Sequence, residues 1–509
     1  MSLNNSIKFR YIVFAVIVLY FLPLFIQITT QPKPFLRFSL PYIFTQFVDE
    51  HQYFIMLNSI LKDGDLDLKN NYQNIAFNGS SDGGMLTRGR IVERNTFVVN
   101  KQGIRVADGN DPSYYRDAFI SGELKAGNNS YELSQLKEYS LSSPGLPILL
   151  SFLLFPFKSL PGLEPATIFI STLVSLLGLF FLFRLLSCFT ENKNAALFIT
   201  LCFGLATPVW YYAGVFGKES FVFFLLSLAL YLLFCRKRYL LVGLVIALAA
   251  YIRNPLFLSS FLFFVYELKP AKVKERLPLI IPSILMLPVV IFTHRYYWYN
   301  CFMELIIYLS GSGHYLKLLF PFLAVSFLIS MAVLSGYSPV SKRLKIWLYA
   351  VSLPAFTSLL YIALKNAGVL FGFMFSLEYG LLTFTPFIIY SFFGLALIFK
   401  KDKRLFSFIL VNTLLLFLYY ANFWDRREPN PFGWANRYLI ASFPFLAIAL
   451  LEWYKVNRSR LAKALFLFLL SAAFLINAEG VFANHLVRKF NILEMWSKTA
   501  VVAERFLAR

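Results

Sequence analysis

Charge is what this chain has least of: Asp, Glu, Lys and Arg make up 15% of its residues against 58% apolar ones. A soluble domain carries about a quarter charged residues, so a water-soluble globular fold is excluded. Cysteine is scarce as well. Cys188, Cys202, Cys235 and Cys301 lie in or beside apolar runs with no C-x-x-C spacing and none in the long polar stretch after the first apolar run. That scatter predicts neither a disulfide framework nor a metal framework. There is no Walker loop, no Gly-rich dinucleotide turn, no H-E-x-x-H and no G-x-S-x-G, which leaves soluble-nucleotide chemistry without a home. The formal net charge of +21 comes mostly in short Lys/Arg clusters between apolar runs. It is therefore read as membrane topology, and nucleic acid is not expected as a partner.

What is abundant is apolar sequence in span-length pieces. About thirteen transmembrane spans are predicted, at residues 11–31, 165–188, 194–213, 218–235, 239–252, 254–267, 277–293, 316–336, 345–364, 380–399, 404–423, 438–454 and 460–477. With the N-terminus inside, Arg236-Lys237-Arg238, Lys269 to Arg276, Lys342 to Lys345, Lys400 to Arg404 and Lys455 to Lys463 all fall on the cytoplasmic side. The pair 239–252 and 254–267 is short, and a bent hairpin at Arg253-Asn254-Pro255 is predicted. Merging the two into one span would export the next three basic clusters. The first run follows Lys8 and Arg10 and ends in Thr29-Thr30-Gln31-Pro32, with no small-residue cleavage site, so it is expected to stay as a signal anchor.

The predicted fold is thus all-α and polytopic. Residues 1–31 form the anchor, 32–164 a large extracytoplasmic loop, 165–477 the helix bundle and 478–509 an extracytoplasmic amphipathic tail. The loop reads as a small folded cap carrying interfacial segments. Pro41 to Leu61 mixes aromatic and aliphatic residues at helical spacing with Gln46, Asp49, Glu50 and Asn58, as an amphipathic helix does. Pro144 to Phe157 is apolar but interrupted by Pro147 and Pro156, which predicts a second membrane-surface segment. Phe482, Leu486, Phe490, Leu493 and Trp496 give the tail an apolar face.

Chemistry must sit on the outward side. Asp49 and Glu50 follow the first span at the water boundary, and adjacent helical residues point about 100° apart, so one acts and the other supports. Their alternative reading is a solvated helix start. His51 beside them completes a candidate divalent-metal group, which the sequence permits without demanding. Trp210 and Tyr212 close the third span, and Lys218 and Glu219 open the next in a setting otherwise apolar. Arg253 and Arg437 lie at outward-facing membrane depth, against the positive-inside trend, so each asks for a partner. A phosphate suits a guanidinium's paired donors; a lipid headgroup or a local carboxylate is the plainer partner.

These positions resemble, in order, the polytopic glycosyltransferases of the GT-C fold. Asp49-Glu50 with Tyr53 looks like their first-loop motif, and Asp63-Gly64-Asp65-Leu66 like the turn after it. Ser143-Pro144-Gly145-Leu146-Pro147 with Phe155-Pro156 is similar to their proline-glycine return to the membrane. Gly204 through Tyr212 resembles their third-span end, and Arg253-Asn254-Pro255 their Arg-Pro step. Trp424 to Gly433, then Asn436-Arg437-Tyr438-Leu439 with Pro444, resembles their late loop and helix start. Lys218-Glu219 and Asp425-Arg426-Arg427-Glu428 depart from the pattern. The resemblance implies inverting transfer of a sugar from a polyprenyl-phosphate donor to an acceptor hydroxyl of a glycan, lipid or protein. It implies a bacterial inner membrane location with the site facing the periplasm. Asp49 and Glu50 would be catalytic, Arg253, Arg437 and Lys218 would bind donor phosphate, and Tyr53, His51, Glu219, Trp210, Tyr212, Trp424 and Tyr438 would contact sugar or acceptor. No cofactor is required, and Asp49, Glu50 and His51 are the metal candidates. A lipid or sugar transporter or flippase is the alternative; it would usually show paired halves, and no internal repeat is evident.

Overall fold

The structure, a computed structural model, describes residues 3–29, 48–72, 96–109, 114, 118, 121–140, 142–158, 163–267, 273–293, 367–377, 379–423 and 435–483. The chain divides into two compact units. The first holds Met1–Thr172, Gly214–Lys218 and Val289–Glu304, and the second Leu173–Ala213, Glu219–Pro288 and Leu305–Arg509.

In the first unit, α1 (Leu3–Thr29) is the predicted anchor and α2 (Val48–Lys62) carries Asp49, Glu50 and His51 in its first turn. The interfacial character expected of 41–61 is corrected by burial. Gln52 through Leu57 are all buried, and six successive residues point in every direction around a helix axis, so no solvent face remains there. Each such apolar side chain, wholly enclosed, contributes about 1.5–3 kcal/mol. The polar exception is held by name: the Ser140 hydroxyl donates to Gln52 Oε1.

The cap is where the all-α expectation fails. It contains β1 (Thr96–Val99), β2 (Arg105–Asp108), β3 (Glu123–Ala126), β4 (Asn129–Glu132) and β5 (Lys137–Ser140). β1 is central in an antiparallel β2-β1-β5 sheet, while β3 and β4 form a separate hairpin. Strand alternation sorts β1 between two small cores. Val98 packs with Tyr114, Ala118, Leu124 and Leu136 on one face, and Phe97 and Val99 with Tyr139 and Leu66 on the other. The 63–69 segment clasps this sheet: Glu138 N–H and Lys69 N–H donate to Asp67 Oδ1 at 2.9 and 3.2 Å, and Lys69 Nζ reaches the carbonyls of Leu133 and Leu136 at 3.0 and 2.7 Å. Burial raises the Asp67 carboxyl above its ordinary pKa, with the two backbone donors opposing it. α3 (Gly145–Leu154) packs on α2 and turns Phe152 and Leu153 outward, as a membrane-surface segment should.

The second unit begins in α4 (Leu163–Phe189) and continues with α5 (Lys193–Leu205), α6 (Pro208–Ala213), α7 (Lys218–Tyr231, less Lys218), α8 (Tyr239–Ile252), α9 (Leu256–Glu267), α10 (Ile281–Thr293, as far as Pro288), α11 (Ala367–Phe375), α12 (Ile389–Lys401), α13 (Lys403–Phe423), α14 (Phe443–Val456) and α15 (Arg460–Ala483). Among the described residues five helical stretches are long and apolar enough to cross a membrane: Ala166–Phe189, Lys218–Arg236, Lys403–Tyr420, Arg437–Val456 and Arg460–Phe482. They coincide with five of the predicted spans. Spans 316–336 and 345–364 lie outside the described residues, as does the tail beyond Ala483. The span predicted at 194–213 is broken, because the Thr207 hydroxyl donates to Phe203 O at 2.6 Å and accepts from Val209 N–H at 3.2 Å. It closes α5 and starts α6, whose first residue is Pro208. Residues 365–379, between the spans predicted at 345–364 and 380–399, contain α11.

Packing in this unit uses small residues and rings. A Cβ on Gly394 of α12 would sit 1.8 Å from Ala449 O of α14, so these two backbones meet as only glycine allows. Tyr390 and Trp453 pack beside that contact at 4.2 Å. Cations gather at one end of the unit. Lys455 Nζ donates to Phe189 O at 3.0 Å, Lys401 and Lys455 both bind Glu452, Arg404 lies 4.7 Å from the Tyr266 ring, and Phe234 joins Phe189 to Tyr266. The same end holds a finding against expectation: Cys188 and Cys235 are disulfide-bonded, with Cα atoms 6.1 Å apart. Their partnership is tertiary, across 47 residues, and spacing rules see only local pairs.

Candidate active site

Arg253 occupies the break between α8 and α9. Its N–H still bonds Ala249 O at 2.8 Å, but its φ of −139° is extended, and Pro255 cannot continue the helix that ended before it. Because α8 starts among the basic residues and rises about 1.5 Å per residue, Arg253 lies at the opposite end of the unit, some 20 Å away. Tyr420 reaches the same end along α13.

The guanidinium is 5% exposed. Its Nε donates to the Tyr420 hydroxyl at 2.6 Å, and its Cζ lies 5.1 Å from the ring centres of both Tyr420 and Tyr438, which stack on each other at 4.4 Å. Glu219, also 5% exposed, places Oε1 4.0 Å from Nη2, too far for a hydrogen bond. Nη1 is buried and has no hydrogen-bond partner among the described residues. The side edge of the fork is thus used by Tyr420, while its outer end is left for something else.

Arg437 touches the same ring. Its Cζ is 5.2 Å from the Tyr438 centre, and Nη2 donates to the Tyr438 hydroxyl at 3.3 Å. The turn that delivers it is strained: Ala435 has φ +55°, a conformation costing an L-residue about 1–2 kcal/mol. Asn436 follows at the N-cap position, yet makes no cap bond. It is 5% exposed, and both of its amide atoms lack hydrogen-bond partners among the described residues, as does Asn254 Oδ1. A buried group left unpaired costs about 1–3 kcal/mol, more when charged. Several such groups lie together beside a buried cation, which makes this the candidate place for a polar ligand.

Of the residues singled out in the sequence, the second unit brings together Arg253, Glu219, Tyr438 and Arg437. Trp210 is packed between Phe474 and Phe482 at 5.8 and 5.7 Å, and Tyr212 is buried with its carbonyl bonded by Ser220. In the first unit Lys218 Nζ lies 4.8 Å over the Tyr53 ring, which also meets Phe216 edge-on. Trp424 lies outside the described residues, and of Asp49, Glu50 and His51 only the backbone is placed. No group of three His, Cys, Asp or Glu able to hold a metal ion is present among the described residues. Sequence reasoning missed Tyr420, and it quoted Asn254 and Asn436 in its motifs without giving either a role. Tyr419-Tyr420 at a span end reads as an interfacial belt, and only the outward Arg253 hinted that one ring had a charged partner.

No family model matches the chain, and no curated protein matches it. It is similar to a solved structure of the Archaeoglobus fulgidus oligosaccharyltransferase, tethered with an acceptor peptide containing the NVT sequon, at a TM-score of 0.45 and 12% identity. The match covers 94% of this chain and 56% of that one, so the chain spans little more than half the length of the protein it matches.

Proposed function

We propose that this chain is a membrane glycosyltransferase of the GT-C type, moving a sugar from a polyprenyl-phosphate donor to an acceptor hydroxyl on the extracytoplasmic side. The observation that supports this reading most is the Arg253 guanidinium, buried at the end remote from the basic clusters, with Nη1 unpartnered among the described residues. A lipid-linked donor suits a site reached from the bilayer. Each buried CH₂ of a prenyl tail contributes about 0.8 kcal/mol, so the tail supplies affinity and the polar groups need fix only phosphate and sugar. In this reading Arg253 and Arg437 bind the phosphate, with the open end of Arg253 toward its oxygens, while Lys218, Glu219, Tyr53, Trp210, Tyr212, Trp424 and Tyr438 remain candidates for donor and acceptor contacts. Asp49 takes the acceptor proton as the oxygen attacks the anomeric carbon, and Glu50 supports it or holds a divalent ion with His51. The phosphate departs as a stabilised anion without a general acid, and the sugar carbon inverts. The proposed setting is a bacterial inner membrane with the site toward the periplasm.

The test is transfer of radiolabelled sugar from a polyprenyl-phosphate donor by the purified chain in lipid vesicles. Turnover that falls roughly 10²-fold or more in Asp49→Asn, with the fold retained, is expected for a lost base. Near-normal transfer by that variant would remove Asp49 from the mechanism. Donor affinity unchanged in Arg253→Ala would retire Arg253 as the phosphate clamp, and full activity in a chelator would remove the metal. Passage of the lipid across the bilayer without sugar transfer would favour the transporter reading instead.

A further inference from the structure

Cys188 and Cys235 take no part in the reaction above, and what surrounds them is chemically suggestive. Arg184, one turn before Cys188, and Arg236, directly after Cys235, place their guanidinium carbons 5.8 and 5.7 Å from the Tyr231 ring centre, and Arg236 Nε donates to the Tyr231 hydroxyl at 2.8 Å. Lys237 and Arg238 follow, exposed. Cations stationed within a turn of a sulfur favour its thiolate, which is the reactive form. Cys188 is itself exposed, and its Sγ lies 3.3 Å from Arg184 O, so a reduced thiol there has an acceptor in place.

The backbone at Cys235 is also unusual. Leu232–Arg236 wind as a π-helix that ends in Lys237 at φ 52°, and π-turns concentrate at functional positions. The bond is not needed to hold α4 against α7. Ser175 donates to Ser220 at 2.7 Å, Gly178 gives α7 close approach at Phe223, and Phe181 packs on Phe224 and Tyr231 at 5.9 and 5.6 Å. Finally, the Lys/Arg clusters at this end place it in the cytosol by the positive-inside rule, where structural disulfides do not persist.

We propose that Cys188 and Cys235 form a reversible redox site at the cytosolic face, a dithiol at rest that closes to a disulfide when a low-molecular-weight disulfide is the oxidant. One cysteine thiolate attacks a sulfur of RSSR, giving a mixed disulfide and releasing RS⁻. The second thiolate attacks the protein-bound sulfur, forms the Cys188–Cys235 bond and releases the second RS⁻. The protons lost by the cysteines end on two RSH, and the two electrons lost by the pair reduce RSSR; excess thiol runs the sequence backward. The proposal does not depend on the glycosyltransferase reading.

The test uses the full chain with Cys202→Ser and Cys301→Ser, in inverted and right-side-out membrane vesicles, and a membrane-impermeant polyethylene glycol maleimide that shifts the band for each free thiol. After a dithiol wash, inverted vesicles are expected to give two tags, none after oxidised glutathione, and two again on renewed reduction, while right-side-out vesicles give none. A cross-linked Cys188–Cys235 peptide in the oxidised sample separates closure from capping by glutathione. Tags that ignore the oxidant, tags only in right-side-out vesicles, tags that need denaturation, or capping without cross-linking would each overturn the proposal.

Discussion

The two ends of the second unit each bury an arginine on tyrosine rings, and they treat it differently. At the basic end Arg276 lies 3.9 Å over the Tyr239 ring with Glu267 at 3.5 Å and Glu275 at 4.0 Å. At the other end Arg253 lies over two rings with one carboxylate at 4.0 Å and a terminal nitrogen unpartnered among the described residues. A buried charge is tolerated when neutralised and hydrogen-bonded. Arg276 is neutralised by two carboxylates, although its Nε makes no hydrogen bond among the described residues, and that charge balance makes it a structural pin. Arg253 has a single carboxylate at 4.0 Å, and in the proposed reading the donor phosphate completes its neutralisation. Ring stacking and an unpaired nitrogen are common to both arginines among the described residues; what separates them is the count of carboxylates, two against one.

Exchanging the two roles by mutation is the sharpest way to break this comparison. Arg253→Ala is expected to lower transfer by about 10²–10³-fold, the scale for loss of a preorganised charge at a departing anion. It also costs stability, because Glu219 is left buried without its cation and Tyr420 without its donor, so transfer is compared per folded molecule. Arg276→Ala should leave turnover per folded molecule unchanged and destabilise the unit by about 1–3 kcal/mol, since the part-buried Glu267 loses its cation while the exposed Glu275 loses little. Transfer assays and detergent-solubilised melting of both variants decide it. Equal effects on both readouts would dissolve the distinction between the two ends.

A smaller effect is expected at Asn436. Its amide makes no cap bond, so Asn436→Ala should cost little stability, unlike an ordinary N-cap replacement at about 1 kcal/mol. If the amide contacts the donor, affinity should fall about tenfold, which is 1.4 kcal/mol. Stability loss without any change in donor titration would make Asn436 a structural residue. Tyr420→Phe comes next: it removes the acceptor of Arg253 Nε and keeps the ring, so a drop of a few-fold in donor affinity is expected, on the scale of one hydrogen bond of about 0.5–1.5 kcal/mol.

The parts of this molecule that the sequence made legible are those governed by local rules. Pro255 after an apolar run announces the break that exposes Arg253, and the clusters at Arg236–Arg238, Lys400–Arg404 and Lys455–Lys463 announce one shared end. The cap strands were hidden because four-residue segments such as Arg105–Asp108, Asn129–Glu132 and Lys137–Ser140 carry no apolar alternation of their own. The first and last of these pair with the one apolar strand, Thr96–Val99, and Asn129–Glu132 pairs with Glu123–Ala126. Burial of Gln52 to Leu57 was hidden for a related reason: an apolar run looks the same to a membrane surface as to a protein interior. Tyr420 and the Cys188–Cys235 pair depend on contacts across 167 and 47 residues, which no window on the sequence contains.

The cap extends the comparison to a carboxylate. Asp67 is partly buried and accepts two backbone N–H bonds, yet burial outweighs them and its pKa is raised from 3.8. A carboxyl whose folded pKa exceeds its unfolded one binds its proton more tightly when folded, so stability falls as pH rises from 3.8 through the folded value and is level above it. The change should be small, because solvent reaches part of the group. Amide exchange of the β1 and β5 backbone across that interval measures it, and Asp67→Asn, which cannot ionise and keeps an acceptor for the two N–H groups, should flatten the profile. A slope that survives the substitution would assign it to another carboxyl of the cap, with Glu138, buried beneath Thr96 and Tyr114, the next to replace.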